Sequence, residues 1–181
     1  MPVSHLKIRE ATEYDFDLLS ELERQAARRF LSVPEATGMT AEQLEDTLSG
    51  EELERALSEG GLWIAEWAEQ PAGFIATHRY QESLYIREVD VLQDYGRRGI
   101  GRALIRQAMS QAKALGLSSV FLRTFREVEW NTPFYEKLGF TPIAESEWTA
   151  VMEQIVEVEE EWGLVRDRRQ FMAAGAHHQM V

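Results

Sequence analysis

The spacing of apolar side chains changes period several times along the chain. Leu6 to Arg9 alternates apolar with charged positions, which predicts a short first strand. Thr12 then offers an N-cap, and Phe16, Leu19, Leu22, Ala26 and Phe30 recur at helical spacing, so a helix is predicted to about Leu31. Pro34 and Gly38 break it. Leu44 and Leu48 before Gly50, and Leu53 and Leu57 after it, predict a second helical region in two pieces whose acidic faces meet water. Gly60-Gly61 ends that region. Leu62 to Trp67 and Ala72 to Arg79, joined by the turn at Glu69-Gln70-Pro71, then form a hairpin that hands over to a strand over 83–92.

The second half alternates strand and helix. Ile100, Ala103, Leu104, Ala108, Ala112 and Leu115 share one helical face, with Gly116 placed to end the helix, and Ser119 to Thr124 reads as the next strand. Strand, helix and strand in this order make a βαβ unit with parallel strands and a right-handed crossover. A short helix over 131–138 follows, with Asn131 as N-cap and Pro133 in its first turn, and Phe140 opens another strand. Trp148, Val151, Met152, Ile155 and Trp162 keep helical spacing through a glutamate-rich stretch, and Val165 to Met172 closes the pattern as a last strand. The expectation is one α+β domain over 1–172, with a frayed tail over 173–181.

Composition narrows the classes. Thirty-one acidic against nineteen basic residues give a formal charge of -12, the wrong sign for a partner that is nucleic acid or an anionic membrane, and compatible with a cationic one. Without cysteine there is no disulfide, thiolate metal site or cysteine acyl-enzyme. Met1 to Glu10 lacks the apolar run of a signal peptide and no later segment approaches a membrane span, so the expected location is cytoplasmic. His177 and His178 are a poor basis for a metal site, and none is expected.

Candidate chemistry concentrates between the strand ending near Leu92 and the helix starting near Ile100. Gly96-Arg97-Arg98-Gly99-Ile100-Gly101-Arg102 places backbone N–H groups and the positive end of a helix dipole where an anion can sit. Two arginines ahead of a helix start oppose its dipole by roughly 0.3–1 kcal/mol each, and a bound phosphate reverses that penalty. In a βαβ unit ligands bind beyond the carboxyl ends of the strands, where this turn lies. A P-loop hydrolase is excluded because no Lys-Ser/Thr follows the glycines.

Together, "VDVLQDYGRRGIGRALI" and "TFREVEWNTPFYEKLGF", with a helix and strand between them, resemble the GNAT superfamily of acyl-CoA-dependent N-acyltransferases. The element order is similar along nearly the whole chain. One departure stands out: Gly96 occupies the turn position where the family usually has Arg or Gln. The resemblance implies a GNAT-type mixed, mostly antiparallel sheet with the βαβ unit at its centre and helices flanking it. It also implies acetyl-CoA or another acyl-CoA as co-substrate, its pyrophosphate on the N–H groups of Gly96 to Arg102 and its pantetheine arm against the backbone of Val89 and Val91. Asn131 resembles the family's asparagine that holds the CoA arm, with Phe134 packing near it, and Tyr135 resembles the general acid at the leaving thiolate.

The implied reaction is transfer of an acyl group to a primary amine by direct attack in a ternary complex. An amine acceptor arrives mostly protonated, since a lysine-like amine has a pKa of about 10.4, so a base must act, directly or through a water. Glu88, just ahead of the cofactor segment, is the candidate; Asp90 shares its face by strand alternation. Either could instead bind a cationic acceptor or pair with Arg87 or Arg123. Trp63, Trp67 and Trp130 could line an acceptor pocket or simply pack, and His78 is read as a surface residue. The acceptor, small molecule or protein, stays open, as does a homodimer. The rival reading is a non-catalytic acyl-CoA-binding regulatory domain.

Overall fold

A computed structural model describes residues 5–178; expectations for Met1 to Ser4 and for 179–181 lie outside the described residues. Seven strands form one mixed sheet in the order β1-β2-β3-β4-β5-β7-β6, mostly antiparallel. They are β1 (Leu6–Glu10), β2 (Leu62–Trp67), β3 (Gln70–Tyr80), β4 (Ser83–Val91), β5 (Ser119–Phe125), β6 (Thr141–Pro142) and β7 (Arg169–Gly175). The helices are α1 (Phe16–Ala27), α2 (Pro34–Thr37), α3 (Gly50–Ser58), α4 (Ile100–Ala114), α5 (Thr132–Lys137) and α6 (Ala150–Glu161). The α+β class, the mixed sheet and the central parallel pair β4·β5 are as the sequence led us to expect.

Alternation along the strands sorts side chains to two faces. Ile75, Leu84, Ile86, Val120 and Leu122 pack with Leu104, Ile105 and Ala108 of α4. Ile64, Phe74 and Ala76 turn the other way, against Leu19 and Leu22 of α1 and Leu53 of α3. Farther along that second face, Tyr85, Phe121 and Phe171 meet Met152 and Val156 of α6. The glutamate-rich stretch is thus helical because it has an apolar stripe to bury, and the Thr149 hydroxyl caps it by accepting from the Met152 N–H.

Several local readings are corrected. The first helix leaves α-geometry at Ala27 and continues as a tighter turn over Arg28–Ser32. The face of α3 is not purely solvated: Arg87 Nε donates to Glu52 Oε1 at 2.8 Å, and Arg55 pairs with Glu59. The last strand begins at Arg169 rather than Val165 and ends at Gly175 rather than Met172. Ala173 and Ala174, expected in a frayed tail, pair with Phe121 and Val120, and the Ala176 N–H donates to Ser118 O at 2.9 Å. Small residues show no apolar alternation, but the free edge of β5 supplied their backbone partners. His78 is buried rather than at the surface, its Nε2 at 3.1 Å from Glu52 O.

Two irregularities in β4 prepare the site. Thr77 pairs with Ile86 and Ala76 with Glu88, so Arg87 is the extra residue of a bulge. Parallel pairing of β4 with β5 ends at Ile86 and Leu122, although the strands run on to Val91 and Phe125. Beyond that point the sheet opens.

Candidate acyl-transfer site

A cavity of about 1000 Å³ occupies the opening between β4 and β5 and reaches the second face. Its floor comes from the register of β4. The Leu92 N–H donates to Ala72 O, and alternate residues of an antiparallel strand bond to the same neighbour, so Asp90 and Glu88 bond toward β3. Val89 and Val91 therefore turn their backbone N–H and C=O into the opening. The Val89 N–H is met there by the carboxylate of Glu88, at 3.3 Å.

The glycine-arginine turn forms one end of the cavity. Arg97 adopts φ +60° and Gly99 φ +79°, two left-handed residues that curl the backbone before α4 begins. The helix's first N–H groups have no intrahelical acceptor by geometry and open at this end. Gly101 sits at a close approach: a Cβ there would stand 3.1 Å from the ring of Phe134, with Val91 also in range. A pyrophosphate fits such a cradle of backbone donors, with Arg97 and Arg102 also lining the cavity at this end.

Most of the residues expected at the site gather around this cavity. Glu88, Val89, Asp90, Val91, Gly96, Arg97, Gly99, Ile100, Gly101, Arg102, Asn131, Phe134 and Tyr135 all line it. The Arg98 side chain turns away: its guanidinium lies over the rings of Trp67 and Tyr95 and reaches Asp94 O, outside the cavity lining, so what it can offer the turn is its backbone N–H. Trp130 lines the cavity, whereas Trp63 and Trp67 pack on the core beneath α4.

Tyr135 stands edge-on to Phe134 and Phe140, with ring centroids 5.1 and 6.1 Å away. Burial, with the charges of Glu88 and Asp90, raises its pKa, so the phenol keeps its proton at neutral pH. Asn131 caps α5 with its backbone, the Phe134 N–H donating to Asn131 O at 3.0 Å.

The acidic side of the cavity is larger than sequence reasoning found. Glu23, on α1, joins Glu88 and Asp90 there and accepts from the Leu48 N–H at 2.9 Å. Burial raises its pKa to about 8, with the charge of Glu88 adding to the effect. Asp90 is pushed well up by burial and by both glutamates, and Glu88 is raised by burial although Arg87 and Arg169 pull the other way. Arg87 Nη1 stands 4.0 Å from Glu88, the limit of an ion pair, while its Nε serves Glu52. Two basic residues of the lining were also missed, Arg29 and Arg169, and Arg123, considered only as an ion-pair partner for Glu88 or Asp90, lines the cavity with them. Arg29 lies in the tighter turn after α1, while Glu23 stands at helical spacing from Leu19 and Ala26 on the buried face of α1, where a lone carboxylate among apolar residues was the signal that could have found it.

The fold and cradle define a protein whose parallel strand pair opens beside a turn that presents backbone donors. The chain belongs to the acetyltransferase (GNAT) family, whose pattern matches residues 18–140. It is 32% identical over 96 residues to N-acetyltransferase family 8 member 3 of Rattus norvegicus and 35% identical over 89 residues to an uncharacterized N-acetyltransferase of Methanocaldococcus jannaschii. Those stretches are 50% and 45% of this chain and 42% and 39% of the relatives, so the match spans less than half of either. In structure it is similar to the PaiA N-acetyltransferase of Thermoplasma acidophilum in complex with coenzyme A, at TM-score 0.70 and 17% identity, covering 94% of this chain and 98% of that one. At that identity the likeness shows the fold. Among the described residues no helix is long and apolar enough to cross a membrane, and no group of three His, Asp or Glu is placed to hold a metal ion.

Proposed function

We propose that the chain is an acyl-CoA-dependent N-acyltransferase that moves an acetyl group to a primary amine by direct attack in a ternary complex. The observation that carries this reading is the opening of β4 from β5 beside the left-handed turn, with Glu88 and Tyr135 both lining the same cavity. The turn N–H groups would hold the CoA pyrophosphate and the backbone of Val89 and Val91 its pantetheine arm, as strand addition, with Glu88 giving up the Val89 N–H. Asn131 and Phe134 would flank that arm.

The CoA thioester supplies the acyl group. Glu88 takes the ammonium proton, directly or through a water; its raised pKa makes it a better base than an exposed carboxylate. The amine nitrogen forms a bond to the thioester carbon, the C–S bond breaks, and the second nitrogen proton leaves to solvent as the neutral amide forms. A backbone N–H at Val91 faces the developing oxyanion. Tyr135, protonated at neutral pH, gives its proton to the departing thiolate. Nothing is oxidised or reduced.

One N-acyltransferase domain over 1–172, extended by the strand residues to Gly175, is our reading of the domain plan. The proposed compartment is the cytoplasm, because a CoA thioester carries several phosphate charges and does not cross a membrane unaided.

Release of free thiol from acetyl-CoA with a panel of amines tests the function. Turnover with at least one primary amine is expected. Tight CoA binding with no turnover above background would replace it with the non-catalytic, acyl-CoA-binding reading.

A further inference from the structure

The acceptor end of the cavity carries cations as well as carboxylates. Arg123 and Arg169 are held by Glu159, whose Oε2 accepts from Arg123 Nε and whose Oε1 lies 3.3 Å from Arg169 Nη1. Arg29 is different. Its guanidinium lies 4.5 Å over the indole of Trp130, and among the described residues it makes no hydrogen bond or ion pair. It is close enough to Asp90 and Tyr135 for both to act on its charge. A partly buried guanidinium with no acceptor for its N–H groups leaves a desolvation cost unrecovered.

Two other donors do not compete with it for a ligand in the cavity: Arg123 Nη1 and Trp130 Nε1 have no hydrogen-bond partner but are closed to solvent, so they lie behind the cavity wall. The N–H groups of Arg29 are not closed off in this way, and Arg29 lines the cavity. The carboxylates Glu23, Glu88 and Asp90 line the same cavity.

Building on the acyltransferase reading above, we propose that the acceptor is a small zwitterion, a free amino acid, its ammonium group toward Glu88 and its carboxylate on Arg29. A polyamine or a lysine side chain matches the carboxylates and leaves Arg29 facing another cation. The planar fork of Arg29 suits a carboxylate, and stacking on Trp130 fixes its plane without using its N–H groups.

The test is thiol release from acetyl-CoA with free amino acids, their carboxamides and polyamines, alongside calorimetry of CoA binding. Free amino acids should exceed the matched carboxamides in kcat/KM by about 10–100-fold, the range of a charged hydrogen-bonded pair. Arg29→Gln should reduce that ratio toward one, chiefly through KM, and Arg29→Lys should keep part of it; an unchanged melting temperature and CoA affinity show that the variants fold. Carboxamides or polyamines turned over as well as or better than free acids would overturn the zwitterion assignment while leaving the acyltransferase reading intact. A ratio unaffected by Arg29→Gln would also overturn it. CoA binding without turnover of any amine would overturn both.

Discussion

Gly101, the second residue of α4, lies beneath the ring of Phe134 in α5: a Cβ built on it stands 3.1 Å from Cζ of that ring and 3.7 Å from Cγ2 of Val91. One hydrogen atom in place of a side chain thus joins the turn, the floor of the opening and its cover. Gly101→Val should push Phe134 aside and occupy the approach to the turn N–H groups. Overpacking typically costs about 1–3 kcal/mol, so acetyl-CoA affinity should fall about 10–100-fold. Calorimetry measures this directly, and an unchanged Kd would remove the turn from the cofactor site.

Tyr135→Phe keeps the ring contacts to Phe134 and Phe140 and removes only the proton donor. We expect kcat to fall by about 10²-fold with acetyl-CoA affinity nearly unchanged. Steady-state kinetics that leave kcat where it was would take Tyr135 out of the mechanism.

The pH profile should report Glu88. A base works when deprotonated, and burial raises the pKa of this one, so the rising limb of kcat/KM should lie above the usual carboxylate value of 4.5. Glu88→Gln should lower kcat/KM by about 10²–10⁴-fold and abolish that limb. If the limb survives in the variant, the proton goes elsewhere, with Asp90 next to be tested.

Glu23 provides a separate reading on stability. Its pKa is raised from 4.5 to about 8 in the fold, so the folded chain holds the proton more firmly than the unfolded one. That contribution is complete below about pH 4.5 and is lost as pH rises toward 8. Glu23→Gln keeps an oxygen for the Leu48 N–H and cannot ionise. Thermal melts of the two proteins should therefore diverge as pH rises from 5 to 9, the variant becoming relatively more stable. Parallel curves would mean that Glu23 is solvated.

The sequence by itself determined the secondary structure of most of the chain, the βαβ unit and the cofactor end of the site. These rest on local causes: the period of apolar residues and glycines where a turn or a close approach needs them. Gly99, Gly101, Asn131, Phe134 and Tyr135 could be picked out because the constraint on each lies within a few residues of it or in a recognisable motif. Tertiary structure alone decided the acceptor end. The bulge at Arg87 and the early end of the β4·β5 ladder depend on which strands pair, and the approach of Glu23 and Arg29 depends on how α1 crosses the sheet. The meeting of charges so far apart in sequence leaves no periodic trace, because their energies arise only once burial has removed the water between them. The Ala173–Gly175 segment shows the same dependence in simpler form, a stretch without pattern made into strand by the unpaired edge of β5.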